Sequence, residues 1–455
     1  MILLRALQAS QAGWSVVLRL PVGSLFSCAA SSPALPFKFH PKPECLSLQE
    51  ISHMMLLRKT EESLLERGYS RRHIARIAMG AAAAIPFFNE FAQAQQAERR
   101  AARANRQGGP RQDFDPEVVR ITSNENPMGP CKEGIEAMAR VGPLGWRYNP
   151  QGENLEFDAL LQTTENVKPG YVNGYPGSST PLANCAPAFC SPTRSWVMGS
   201  PGYGSGQGRF IGNKVIQVPL RKDYSHDVEA MIKADPNAGA YYICNPNNPT
   251  GTLTSREDFE YILAHKQKDA VLIIDEAYVH FAGPEFYSTE LVRQDKDVVV
   301  LRTFSKIYGM AGLRAGALYG RPDLLSKVAE YGRGGHLPVT ATACAAASMK
   351  VAPSLMMERR AINKKNRDLA FEHMEKIGVS YIPSTSNFFM MSVKGMTGVQ
   401  VGEAMAAKKI MLAGNRWPEW PQYIRVTVGT YEEMGKFNSA LAQVVQEGAA
   451  KTKAA

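Results

Sequence analysis

Val271-Leu272-Ile273-Ile274-Asp275-Glu276-Ala277-Tyr278 is the stretch on which the fold of this 455-residue chain turns. Four unbroken apolar residues between polar loops read as a short strand covered on both faces. Two carboxylates follow it directly. A carboxylate just past a buried strand costs several kcal/mol unless a cation neutralises it, so this strand end expects a positively charged neighbour. Working outward, similar runs occur at Ser195-Trp196-Val197-Met198, Lys214-Val215-Ile216-Gln217-Val218, Ala240-Tyr241-Tyr242-Ile243 and Val298-Val299-Val300-Leu301. Helical stretches separate them, such as Arg256 to His265, where Ser255 and Asp258 have capping-box spacing. Strands alternating with helices predict an α/β fold on a mostly parallel sheet, with ligands beyond the carboxyl ends of its strands. From about Arg359 the pattern changes. A charged helix over 363–377 and strands over 387–393 and 423–428 predict a smaller α+β domain.

The chain is too long for one core, and its 44% hydrophobic and 21% charged residues are ordinary for a globular protein. The net charge of +10 is concentrated in residues 1 to 112, which hold 15 Lys and Arg against 7 Asp and Glu. The body therefore carries no basic footprint for nucleic acid. No run of 18 or more apolar residues predicts a membrane span. The seven cysteines show no zinc spacing. Cys185 and Cys190 are close enough for a small disulfide loop or stand as two free thiols, which spacing alone does not decide.

Ser70-Arg71-Arg72-His73-Ile74-Ala75-Arg76, then a modestly apolar stretch through Phe88, then Ala92-Gln93-Ala94, resembles a bacterial twin-arginine export signal. That implies a periplasmic location, with a mitochondrial presequence or a cytoplasmic protein as the other readings. An export assay on a fusion of residues 54–97 distinguishes them. The expected organisation is an upstream segment over 1–69, of which the residues before the start are not translated if translation begins at Met54 or Met55, and a signal over 70–97. A linker over 98–112 follows, then an arm with part of the small domain over 113–160, a large domain over 161–330 and a small domain over 331–455.

Three strand ends supply chemistry. Asn245-Pro246-Asn247-Asn248-Pro249-Thr250-Gly251 offers an amide, Asp275 a carboxylate and Thr303-Phe304-Ser305-Lys306 an amine, with Gly309 and Gly312-Leu313-Arg314 beyond. The set suits a cofactor with a pyridine nitrogen, a phenolic oxygen and an aldehyde. These motifs, with Ser123-Asn124-Glu125-Asn126-Pro127-Met128-Gly129-Pro130 and Tyr423-Ile424-Arg425-Val426-Thr427-Val428-Gly429-Thr430, together resemble fold-type-I pyridoxal-phosphate (PLP) aminotransferases of the histidinol-phosphate aminotransferase-like subgroup. The resemblance spans about residues 117 to 445 and implies an aspartate aminotransferase-like, seven-stranded-type sheet. It also implies transamination between an amino acid and a 2-oxo acid.

On that resemblance Lys306 forms the Schiff base and moves the α-proton, Asp275 pairs with the pyridinium nitrogen, and Asn248 and Tyr278 bond the phenolic oxygen. Thr303, Ser305 and Arg314 serve the phosphate, with Gly177, Ser178 and Ser179 at a helix start. Tyr203 stacks on the ring. Tyr148 reaches the phosphate of a neighbouring subunit, which implies a homodimer. Arg425 clamps the substrate carboxylate, and Asn124 belongs to the substrate-binding signature. The match departs from the family at three places. Thr180 follows Ser179 where an acidic residue is usual. Lys409-Ile410-Met411-Leu412-Ala413 lacks the arginine used for a substrate phosphate, leaving Arg416 as a substitute. Gly334-Gly335-His336-Leu337-Pro338-Val339 replaces a Pro-aromatic-Asn segment, with His336 a substrate contact or a loop residue. Another PLP reaction on an amino acid (decarboxylation, racemisation or oxidation) and a binding protein without catalysis are the competing expectations.

Overall fold

The computed structural model describes residues 115–204, 212–332, 336–414 and 417–454, with Leu65. The twin-arginine-like segment, the linker over 98–112 and, Leu65 apart, the upstream residues lie outside the described residues, as does Arg416. In chain order the first half comprises β1 (Val119–Ile121), α1 (Lys132–Val141), α2 (Glu153–Thr164), β2 (Val172–Tyr175), α3 (Ser179–Phe189), β3 (Ser195–Ser200), β4 (Val215–Pro219), α4 (Val228–Lys233), β5 (Ala238–Cys244), α5 (Arg256–His265) and β6 (Val271–Asp275). Then come α6 (Val279–Ala282), α7 (Thr289–Arg293), β7 (Val298–Thr303), β8 (Gly316–Gly320), α8 (Pro322–Ala329), α9 (Val339–Lys350), α10 (Ala352–Ile377), β9 (Ser380–Ile382), β10 (Phe388–Ser392), α11 (Gly398–Ala406), β11 (Ile410–Leu412), β12 (Ile424–Thr427) and α12 (Tyr431–Ala454).

Seven strands form one sheet in the order β2-β8-β7-β6-β5-β3-β4. From β4 to β7 every pairing is parallel. β8 runs against both of its neighbours, β7 and β2. The apolar runs form strands because both faces are covered: β5, β6 and β7 are buried at every position. Alternate side chains enter different cores. Tyr241, Ile243, Leu272, Ile274, Val298 and Val300 pack with Phe259 and Ile262 of α5. Tyr242, Cys244, Ile273, Val299 and Leu301 pack with Leu182 of α3 and Val328 of α8 on the other face. Each such aliphatic or aromatic side chain contributes roughly 1.5–3 kcal/mol of burial.

β2 and β8 were not among the expected strands. Val172-Asn173-Gly174-Tyr175 and Gly316-Ala317-Leu318-Tyr319-Gly320 contain glycines where an apolar run would be sought. At Gly316 a Cβ would fall 2.6 Å from the backbone of Gly177 and 2.8 Å from the Arg302 carbonyl, so close approach there requires glycine.

The two smaller sheets are β12-β10-β9, antiparallel, and β1-β11, parallel. They share a core that includes Val119, Ile121, Phe389, Val426 and Phe437. The helix expected over 363–377 is the second half of the 26-residue α10, which starts at Ala352 with a proline in its first turn and ends at Gly378 with φ +71°. At α5 Ser255 caps Asp258 N at 3.1 Å. The return bond of a capping box is missing, because the Asp258 carboxylate takes both terminal nitrogens of Arg221 at 3.0 Å. A complete box caps α11 instead, between Thr397 and Gln400. Cys185 and Cys190 are buried free thiols. Among the described residues no helix is long and apolar enough to cross a membrane.

A buried ionic cluster braces the strand ends. Arg302 of β7 donates through Nε to Glu276 at 2.5 Å and through Nη1 to Glu165, just past α2, at 2.7 Å. Thr289 donates to Glu165 at 2.8 Å and Ser288 N to Glu276 at 2.6 Å, so α2, α7, β6 and β7 are fastened together directly behind Asp275.

Candidate active site

The carboxyl ends of β5, β6 and β7 open on a cavity of about 270 Å³, lined by Asn248, Asp275, Tyr278, Thr303, Ser305 and Lys306 among others. Arg314, Ser178, Ser179, Tyr203, Asn124 and Arg425 complete its wall. Thus most residues singled out from the sequence meet in one place.

Parallel register explains the meeting. Cys244 pairs with Asp275 and Asp275 with Leu301, so the loops after these strands begin at one level. Lys306 Nζ donates to the carbonyls of Asn124 at 3.1 Å and Ser123 at 3.3 Å. Burial, and next the Arg425 charge, push its pKa down to about 8. Close packing of the Lys306 turn against the amino-terminal loop depends on Gly309, whose φ is +69° and whose Cβ would lie 2.1 Å from the Gly129 carbonyl.

Asp275 is fully enclosed, and burial raises its carboxyl to about 6. Tyr242 OH donates to Oδ2 and Ala277 N to Oδ1, each at 3.1 Å. No cationic side chain among the described residues bonds it. Tyr278 OH accepts from Asn124 Nδ2 at 3.0 Å and from Asn248 Nδ2 at 3.4 Å. Its ionisation is pushed up by burial, so it stays a neutral phenol. Arg425 donates to Asn248 Oδ1 at 2.7 Å and to the Thr122 carbonyl at 2.9 Å. Its guanidinium lies 5.4 Å from the Trp417 ring centroid and 5.6 Å from that of Phe388. Asn124 is fixed by Thr427, whose hydroxyl accepts from Asn124 N at 2.9 Å.

At the other end of the cavity Arg314 Nη1 reaches Ser305 Oγ at 3.3 Å and Nη2 reaches Ser179 Oγ at 3.4 Å. Thr303 Oγ1 donates to Ser305 Oγ at 2.9 Å. Ser178 stands at the N-cap of α3 without a side-chain cap bond, which leaves first-turn N–H groups facing outward. Gly177 is not in the wall. It lies beneath Arg314, where a Cβ would come within 2.2 Å of Nη2. Tyr148 is also outside the wall, 80% exposed and stacked on His336 at 5.2 Å. His336 lines a different recess, beside Asp158 and Tyr175.

Sequence reasoning missed Tyr242, Thr427 and Gly309 as parts of the site. Tyr242 stands inside an apolar run and Thr427 inside a strand, where each passes for packing. Gly309 follows Lys306 by three positions, but its contact partner Gly129 is 180 residues away in sequence.

The arrangement fits PLP. A buried carboxylate without a cationic partner calls for a positive group, which a protonated ring nitrogen supplies. A guanidinium, two hydroxyls and a helix start suit a phosphate. An amine of lowered pKa suits an aldehyde.

The sequence matches the family described as Aminotransferase class I and II over residues 116–441. It is 30% identical to a protein named histidinol-phosphate aminotransferase 1 from Nitrosococcus oceani, over 72% of this chain and 90% of the relative. It is 27% identical to the histidinol-phosphate aminotransferase of Moorella thermoacetica, over 72% of this chain and 86% of that one. Among solved structures, the histidinol-phosphate aminotransferase of Sinorhizobium meliloti in complex with pyridoxal-5'-phosphate has the same fold. Its TM-score is 0.65 at 23% identity, covering 72% of this chain and 91% of that one. With the matched region embracing all three strand ends and the Arg425 strand, the chain belongs to the class I and II aminotransferases, PLP-dependent transferases of fold type I.

Proposed function

We propose that Lys306 is the lysine that carries the cofactor and moves the substrate's α-proton in this transaminase. The observation that carries the reading is the meeting of an amine of lowered pKa and a buried carboxylate at the ends of adjacent strands on one cavity. Bound there, PLP supplies an aldehyde for the amino group and a ring that withdraws electrons from the α-carbon. Asp275 holds the ring nitrogen protonated. Both lone pairs of the Tyr278 oxygen are engaged by amide donors, so its own hydrogen is left to donate to the ring oxygen. Arg314, Ser305, Thr303, Ser179 and the start of α3 hold the phosphate, and Tyr203 covers the ring. Arg425, aimed by Asn248 and Thr122, takes the α-carboxylate in a bidentate contact worth roughly 1.5–3 kcal/mol. Lys306→Ala should abolish covalent fixation of PLP on borohydride treatment, read as label retained by the denatured protein. Fixation at the wild-type level overturns the reading.

We infer an amino acid as donor and a 2-oxo acid as acceptor. The described cations of the cavity wall are Lys306, Arg314 and Arg425, each already assigned to amine, cofactor phosphate and carboxylate. The names of the relatives favour a second reading, histidinol phosphate as substrate. Against it, β11 offers Ile410, Met411 and Leu412 and no arginine. Absorbance changes of the PLP-loaded protein with glutamate and with histidinol phosphate decide between them, and a response to histidinol phosphate at micromolar concentration sinks the first.

The functional unit is proposed to be a homodimer in which Tyr148 serves the neighbour's phosphate. Support comes from its 80% exposure and from Trp146 and Leu155, large apolar groups likewise exposed on the same segment.

A further inference from the structure

We infer that Tyr242 is a positioning residue that keeps Asp275 ionised, so that the strength of the cofactor's ring-nitrogen contact is set from β5, one strand away. The inference rests on the assignment of Asp275 to the PLP ring nitrogen.

Geometry carries it. In the parallel pairing of β5 with β6, Cys244 stands opposite Asp275. Tyr242, two residues earlier, therefore faces the same side of the sheet as Asp275 and is its diagonal neighbour. Diagonal neighbours on a sheet face are about 7–8 Å apart, within reach of an aromatic side chain. The phenol spans that gap and brings its oxygen to 3.1 Å from Asp275 Oδ2.

Two close neighbours hold the ring in place. Trp196 of β3 stacks on it with centroids 5.4 Å apart and planes 29° apart. At its hydroxyl end the backbone of Gly204, at φ +96°, comes so close that a Cβ there would lie 3.2 Å from the tyrosine ring and 3.3 Å from its oxygen. A fixed phenol has one hydrogen to give, and the carboxylate is its acceptor. Burial pushes the phenol's own ionisation well up, so it remains a donor.

The consequence follows from the two forces on Asp275. Enclosure disfavours its charge, and two donors, Tyr242 OH and Ala277 N, favour it. The other titratable groups near it are Glu276 and Tyr278 beyond β6 and Lys306 beyond β7, with Cys185 of α3 and Cys244 of β5. None of these donates a hydrogen bond to the carboxylate; the Lys306 charge acts on it in the same direction as the phenol but more weakly, so the phenol is the side chain that chiefly offsets burial. A hydrogen bond to a charged group is worth about ten- to a hundredfold in an equilibrium constant.

The test uses Tyr242→Phe, Asp275→Asn and the double variant, each as full-length protein. PLP dissociation is read from absorbance, and the pH midpoint of the lower limb of PLP binding is read in parallel. Tyr242→Phe should raise the dissociation constant about tenfold or more and move that limb upward by about one pH unit, because the carboxylate now protonates sooner. In the Asp275→Asn background the same change should add less than about twofold, since its target has gone. An effect of equal size in both backgrounds marks a merely structural role and overturns the inference. No change in either also overturns it. If Asp275→Asn itself binds PLP like the wild type, the assignment of Asp275 has failed rather than that of Tyr242. Should Tyr242→Phe not fold, 3-fluorotyrosine at position 242 keeps the shape and strengthens the donor. The limb should then move downward, and an unmoved limb counts against the inference.

Discussion

At the scale of the residue, the site works by holding charges where water would not leave them. Lys306 is the clearest case, because a protonated amine cannot attack an aldehyde. With its pKa lowered to about 8 by burial and by Arg425, PLP uptake by the apoprotein should accelerate as pH rises to about 8 and level off above it. An ordinary lysine would go on gaining reactivity to about pH 10.4. Arg425→Gln removes a neighbouring positive charge and should move the midpoint upward by roughly half a unit to one unit. Stopped-flow absorbance across pH 6.5–10.5 measures both, and a midpoint indifferent to Arg425 would leave burial and the Arg314 charge as the causes of the lowering. Asn248, Asp275 and Lys306 were legible in sequence because each stands one to five positions beyond an apolar run, where a polar group needs a reason. Tyr242 was not. It occupies the fourth place in Gly239-Ala240-Tyr241-Tyr242-Ile243, where a core residue would stand, and its partner is defined by strand register, which no linear spacing reveals.

At the scale of the element, the strand ends must stay level if an amide, a carboxylate and an amine are to share one cavity. Arg302 secures this from behind. Its Nε and Nη1 engage Glu276 and Glu165, and all three side chains are more than nine-tenths buried. Such a cluster is poor evidence of net stabilisation, yet breaking it by removing one member strands the others. Arg302→Met should therefore cost about 3–5 kcal/mol in urea unfolding. Adding Glu165→Gln and Glu276→Gln should restore part of that loss, because the uncompensated charges are then gone. A single variant within about 1 kcal/mol of wild type would show that the two carboxylates find other partners. The short apolar runs of β3, β5, β6 and β7 announced the middle of the sheet, since continuous burial writes continuous apolar sequence, and Lys214 to Val218 announced its edge. β2 and β8 did not announce themselves. Their glycines admit Arg302, Gly177 and Phe157 at close range, and a strand chosen for small size carries little hydrophobic signal. The expected capping box at Ser255 failed for a related reason, as Arg221 competes for the Asp258 carboxylate.

At the scale of the whole molecule, the residues proposed to hold the cofactor line one cavity except Gly177, which lies beneath Arg314, and Tyr148, which is exposed and stacked on His336. A tyrosine that is idle in its own subunit and used in the next would tie catalysis to assembly. The consequence is tested by pairing two defective chains. In a hybrid of Lys306→Ala with Tyr148→Phe, a tyrosine acting across the interface leaves one site with both defects and one with neither. The intact site should bind PLP with wild-type affinity and show about half the wild-type activity per dimer. A tyrosine acting within its own chain gives a different result, because each site then keeps one defect and the hybrid is no better than the average of its parents. Hybrids isolated through two different affinity tags, with PLP titrated by absorbance, separate the outcomes. The same preparation reports the assembly itself. If the two tagged chains never co-purify after joint expression, the exposed Trp146, Tyr148 and Leu155 surface has some other use, and the phosphate must be held by Arg314, Ser305, Thr303 and the start of α3 alone.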